Sequence, residues 1–127
     1  MSQLVFLGLI ALGGAFGACS RYFISELCVY LFGKGFPYGT LAVNVIGSMI
    51  IGLLMSALDQ GMIEAVPARP LIGLGFLGAL TTFSTFSMDN VILMQQGEFI
   101  KAGLNILLNI TLSITACFIG YQLMMKG

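Results

Sequence analysis

Four long apolar runs, separated by short polar segments, organise the chain: about Leu4 to Phe32, Tyr38 to Leu58, Pro70 to Met94 and Phe99 to Met125. A hydrocarbon core of about 30 Å takes about 20 helical residues to cross, so each run is long enough to span it. The first is interrupted by Arg21 and Glu26. The segments between the runs, GKGFPYG (33–39), DQGMIEAVPARP (59–70) and QQGEF (95–99), hold the prolines and many of the charges and read as turns. Connections this short join antiparallel neighbours. The pattern therefore predicts an all-α integral membrane protein, a single four-helix domain over residues 1–127 with spans at 4–32, 38–58, 70–94 and 99–125. The apolar run from Leu4 to Cys19 has no basic residue before it and ends at Arg21 and Tyr22 with no cleavage motif, so a span is expected there rather than a cleaved signal.

Composition agrees with the pattern and narrows the chemistry. Of 127 residues, 58% are hydrophobic and 8% charged, with no histidine; the mean hydropathy of +1.03 is more than a soluble domain can present to water. Without histidine, no Ser-His or Cys-His nucleophile pair exists, and an enzyme is not expected. Cys19, Cys28 and Cys117 are odd in number and lack C-x-x-C spacing, which leaves them as packing residues rather than zinc ligands. Gly73, Gly75 and Gly78 spell GLGFLG, but the strand, the βαβ unit and the later acidic residue of a dinucleotide site are missing. Neither nucleotide nor nucleic-acid binding is expected.

Charge says little about orientation. If the termini share one side, Arg69 and Lys126 lie there, while Lys34 and Lys101, with Arg21 near a span end, lie on the other. The positive-inside rule then has almost no bias to act on. Two readings remain: a small protein with few charges to distribute, or copies inserted in both orientations and paired antiparallel. Gly13 and Gly17, with Arg21 four residues on, and Ser48 with Gly52 make small-xxx-small steps that let helices approach closely.

Polar groups inside the spans carry the functional signal, because an unsatisfied one costs several kcal/mol in hydrocarbon. They are Asn44 in the second span, the hydroxyl-rich TTFSTFS (81–87) in the third, and Asn105, Asn109 and Ser113 in the fourth. Asn105, Asn109 and Ser113 recur every four residues and share a helix face, as do Phe83 with Phe86 and Thr81 with Ser84 or Thr85. They are either interhelical glue or the wall of a polar path. Glu26, Asp59, Glu64 and Glu98 fall near span ends, with Asp89 less clearly placed, so the mid-membrane carboxylate of a proton-coupled pump or cation ring is not evident. An anion fits better: hydroxyl and amide groups donate hydrogen bonds, and a phenyl edge carries the positive part of the ring quadrupole. Neutral donors also bind weakly enough to release an ion.

The stretches GTLAVNVIG (39–47) and GFLGALTTFSTFS (75–87), preceded by the small-residue helix reaching Arg21 and Tyr22, resemble the Fluc (CrcB-type) fluoride channel family of bacterial membranes. The likeness covers nearly the whole chain in length, span count and motif order. It implies an antiparallel dual-topology homodimer in the bacterial inner membrane, with two pores through which fluoride leaves the cytoplasm passively. It also implies a third helix broken in mid-membrane. Phe83 and Phe86 match the pore phenylalanines whose ring edges contact fluoride, Asn44 the asparagine that donates to the ion, and Ser84 with Thr85 the polar track beside it. Backbone carbonyls of Gly78 and Thr81 from both subunits are implied to hold a structural sodium ion, since a hard cation can satisfy carbonyls that a broken helix exposes. Arg21 resembles a vestibule arginine that raises local anion concentration, or serves as an interfacial anchor. Asn109 and Ser113 fall where relatives carry small hydroxyl pore residues, so Asn109 departs from that pattern; it and Asn105 are open between pore lining and helix glue.

Two rival functions are distinguishable. A small dual-topology proton-coupled transporter relies on a carboxylate deep in its first span, where this chain has Gly13, Gly14 and Gly17. A structural membrane subunit would explain the packing glycines but not polar residues gathered with phenylalanines at one depth.

Overall fold

The structure, a computed structural model, describes residues 2–125. Lys126, part of the charge balance, lies outside the described residues. In chain order the elements are α1 (Gln3–Phe32), α2 (Tyr38–Asp59), a short turn α3 (Ala65–Pro67), a π-helical segment π1 (Ala68–Leu77), α4 (Gly78–Leu80), α5 (Ser84–Gln95) and α6 (Phe99–Met125). Four stretches, Gln3–Phe32, Tyr38–Asp59, Ala65–Gln95 and Phe99–Met125, are long and apolar enough to cross a membrane. These agree with the predicted runs. The third stretch begins at Ala65 rather than at Pro70, but Val66 is extended (φ −116°, ψ 123°) and sustained winding starts only at Ala68; Pro70 lies in that first turn, where it gives up an amide that has no helical acceptor anyway.

Local chemistry sets the ends. Ser2 Oγ accepts from the Val5 N–H at 3.2 Å and caps α1. At the other end Gly33, at φ 82°, turns the chain while its N–H donates to the Val29 carbonyl at 2.8 Å. Gly97, at φ 79°, does the same between α5 and α6.

Two seams hold the bundle, α2 along α6 and α1 along π1 and α4. Both are closed by glycines facing backbone. A Cβ on Gly13 would sit 2.0 Å from the Leu71 carbonyl oxygen, one on Gly17 2.2 Å from that of Phe76, and one on Gly75 2.6 Å from that of Ile10. Across the other seam, a Cβ on Gly52 would meet the Cys117 carbonyl oxygen at 2.2 Å, and one on Gly120 that of Met49 at 2.4 Å. The small-residue spacing of α1 and α2 therefore serves backbone-to-backbone contact, which gives dispersion and weak hydrogen bonds their reach where no hydrophobic effect acts between helices. The core between the seams is small, built on Val43, Leu54, Ala68, Leu77 and Leu80.

These contacts predict a contrast within one helix. Gly13→Ala must push α1 off a carbonyl and is expected to lower stability by about 1–3 kcal/mol. Gly8→Ala meets no atom within 4 Å and is expected to be neutral or stabilising by up to about 1 kcal/mol. Thermal unfolding in detergent reads the difference; equal midpoints for the two variants would contradict the seam.

Candidate functional site

The site begins where the helical ladder of the third span is interrupted. α4 ends at Leu80, Thr81 is extended (φ −81°, ψ 158°), and α5 starts at Ser84. The residues at the interruption supply their own alternatives to helical bonding, as β-branched hydroxyl side chains do. Thr81 Oγ1 donates to the Leu77 carbonyl at 3.0 Å, beside the Thr81 N–H on the same oxygen at 3.1 Å. Thr82 Oγ1 accepts from the Thr85 N–H at 3.1 Å, meeting one of the free amides at the start of α5.

Asn44, on α2, completes the arrangement. Its Oδ1 accepts from the Thr82 N–H at 2.8 Å and its Nδ2 donates to the Thr82 carbonyl at 3.2 Å, so one side-chain amide satisfies both backbone groups of one residue. In a continuous α-helix the Thr82 N–H would have closed on the Gly78 carbonyl and the Thr85 N–H on that of Thr81. Both donors are diverted. The nearby Ala79 carbonyl accepts from Arg21 Nε at 3.0 Å.

Against this interruption lies an open groove of about 430 Å³ between α2, the third span and α6. Seven of the residues expected from the sequence to form the pore or the sodium site line it: Asn44, Gly78, Thr81, Phe83, Phe86, Asn109 and Ser113. No lining residue carries a charge. Phe83 and Phe86 have ring centroids 5.3 Å apart with planes tilted by 52°; Phe86 is 8% exposed, whereas Phe83 is 77% exposed at the open side. The Ser113 hydroxyl is buried and has no hydrogen-bond partner. Among the described residues, no cluster of three or more Cys, Asp or Glu side chains is placed to hold a metal ion.

The remaining sequence-predicted residues stand apart. Ser84 is exposed, its Oγ 3.4 Å from Thr82 Oγ1. Thr85 faces a second cavity of about 320 Å³, which it shares with Thr40 and Asp89. Arg21 lines neither cavity and is held by Ala79.

Asn105 also misses the groove, but it belongs to a chain of amides that reaches it. Asn44 Nδ2 donates to Asn109 Oδ1 at 2.9 Å, and Asn109 Nδ2 donates to both Oδ1 and the carbonyl of Asn105 at 2.9 Å. Asn105 Nδ2 in turn donates to Asn90 Oδ1 at 2.8 Å. Asn90 is absent from the sequence reading, although its spacing from Phe83 and Phe86 puts it on their helix face. The pair Thr40 Oγ1 to Asp89 Oδ2, at 2.7 Å, is also absent from it. Here the signal is that Thr40, Asn44 and Ser48 recur every four residues along α2.

Comparison with known proteins places this geometry in a family. A model of the family described as CrcB-like protein, Camphor Resistance (CrcB), matches residues 8–121. A protein of Photobacterium profundum named fluoride-specific ion channel FluC is 82% identical over 127 residues, covering all of both chains. Proteins of the same name from Aliivibrio salmonicida and Vibrio vulnificus are 80% and 68% identical over 124 residues, or 98% of each chain. The match takes in the glycine seams, Asn44, the interrupted third span and the asparagines of α6, and on that extent the chain belongs to the CrcB family.

Proposed function

We propose that the chain is a fluoride-selective channel that lets cytoplasmic fluoride leave passively across the bacterial inner membrane. The observation that carries this reading is the groove: an uncharged wall in which a buried, unpartnered Ser113 hydroxyl and the Asn44 and Asn109 amides stand beside the Phe83 and Phe86 rings. A small, strongly hydrated anion must exchange its water for donors. Neutral hydroxyls, amides and phenyl edges supply them without a fixed charge that would trap the ion. The names of the close relatives support the choice of ion. The absence of a carboxylate from the groove favours a channel over a proton-coupled transporter.

The working unit proposed is an antiparallel dual-topology homodimer with two pores. Its support is the open side of the groove, where Phe83 projects uncovered, together with the near-balanced basic residues on the two faces. In this arrangement Asn44, Ser113 and the two rings contact the ion, Asn109 lines the same wall, and Ser84 with Thr85 continues the polar path. Arg21, beside the interruption, draws anions toward it.

A structural sodium ion fits the residues present. The carbonyls of Gly78 and Thr81 have lost their helical donors to Asn44 and Thr82, and carbonyl oxygens are suitable ligands for a hard cation. Bound by these residues from two copies, the ion would neutralise carbonyl dipoles where the third spans meet, the interruption lying in mid-membrane.

Two experiments test the proposal. Liposomes bearing the purified protein are expected to release fluoride far faster than chloride at an ion-selective electrode. Phe83→Ile or Phe86→Ile is expected to slow that release at least roughly tenfold, equivalent to about 1.4 kcal/mol of barrier. A folded wild-type protein that released no fluoride in sodium buffer would defeat the reading. Replacing sodium by N-methylglucamine on both sides is expected to lower both efflux and the unfolding midpoint, because a ligand of the native state stabilises it. A midpoint independent of sodium concentration would remove the ion from the proposal.

A further inference from the structure

We propose that Asn90 and Asn105, which do not line the groove, are positioning residues: through Asn109 they hold the Asn44 amide in the orientation that pins Thr82 and sets its Nδ2 at the groove wall. The inference rests on the channel reading of the groove and adds to it residues outside the ion's path.

The direction of the relay is fixed by groups that cannot turn over. A backbone N–H only donates and a carbonyl only accepts, so Thr82 forces Asn44 to present Oδ1 to its N–H and Nδ2 to its carbonyl. Asn109 must then offer Oδ1 to Asn44 Nδ2, which leaves its own Nδ2 for Asn105. The Asn105 carbonyl, a second backbone acceptor, enforces the same choice at 2.9 Å. Asn105 Oδ1 is thereby taken as an acceptor, and its Nδ2 must find one of its own. Asn90 Oδ1 is that acceptor, at 2.8 Å. Burial makes the order compulsory: Asn105 is 0% exposed, Asn109 6% and Asn90 7%, so a reversed amide would bury two facing oxygens or two facing N–H groups.

The relay also ranks the two bonds that Asn44 Nδ2 makes. The bond to Asn109 Oδ1 is 2.9 Å and belongs to the chain; that to the Thr82 carbonyl is 3.2 Å and ends there. An arriving anion takes over the longer bond, while the shorter one keeps the amide from swinging away. Relaxing the far end at Asn90 loosens that hold without altering any groove-lining side chain.

The test compares the wild-type protein with Asn90→Leu, which has no acceptor, and Asn90→Asp, which keeps an oxygen opposite Asn105. Deuterium exchange of the peptide over residues 80–86 reports the Thr82 amide, and liposome efflux gives the half-saturating fluoride concentration. Asn90→Leu is expected to speed exchange of that peptide several-fold and raise half-saturation about threefold, with Asn90→Asp returning both toward wild type. Exchange at the wild-type rate, or exchange faster everywhere in proportion to a lowered melting midpoint, would reduce the asparagines to helix glue and overturn the inference. Local exchange with unchanged half-saturation would overturn it as a determinant of permeation. A wild-type protein that moved no fluoride would instead sink the channel reading, and the exchange of the 80–86 peptide would still decide whether the relay holds Thr82.

Discussion

A backbone that leaves the helix inside an apolar bundle must have its N–H and C=O groups met by the protein, since lipid offers no partner. Here the requirement falls on Thr82, and Asn44 meets it with one amide placed against both of its backbone groups. The rest of the site follows. With the Thr82 N–H held by Asn44 and the Thr85 N–H by Thr82 Oγ1, the chain has no route back to regular winding before Ser84. The carbonyls of Gly78 and Thr81 are left without their helical donors, and the two phenylalanines are set on the restarted side, where their rings reach the groove.

Asn44 can do this only because the helices stand close. Gly47, one turn along α2, leaves room for Thr81: a Cβ there would lie 2.2 Å from the Thr81 methyl carbon. On the opposite side of the third span, Gly13 and Gly17 seat α1 against π1, and Arg21, one turn further, reaches the Ala79 carbonyl. One spacing of four residues thus places two packing contacts and one hydrogen bond along a single stripe of α1. The glycine seams and the polar site belong to one design, in which close backbone contact brings short side chains within reach of the interrupted segment.

How much of this is readable in the sequence depends on whether the determinant is local. The four spans are legible because hydropathy over about 20 residues suffices to define them, and the shared face of Asn105, Asn109 and Ser113 because helical spacing does. The π-helical winding from Ala68 to Leu77 is not, as no periodicity distinguishes it. The texture of TTFSTFS shows a density of hydroxyls but not their division of labour. Thr81 closes a turn, Thr82 serves the next helix, Ser84 is exposed and Thr85 faces another cavity. Likewise, the choice between pore lining and glue separates Asn109 from Asn105 only in three dimensions: Asn109 has its place in both the groove wall and the amide chain, and Asn105 in the amide chain alone. Asn90, and the pairing of Asp89 with Thr40, escape a sequence reading because the partners lie on other spans.

The same geometry determines how side chains in the groove can be interpreted. Asn44 serves two ends at once, so its removal would strip the Thr82 N–H and carbonyl of partners, a cost of about 1–3 kcal/mol for each buried group left unmet, whatever passes through the groove. Any change in conduction at that position therefore mixes ion contact with backbone support. Ser113 is the opposite case: its hydroxyl is buried at the groove, bonds to no protein group, and supports nothing else in the fold. A buried hydroxyl held without a protein partner is unfavourable for stability alone. Under the channel reading, its free donor is already available to an ion, whereas the asparagines must first yield a bond.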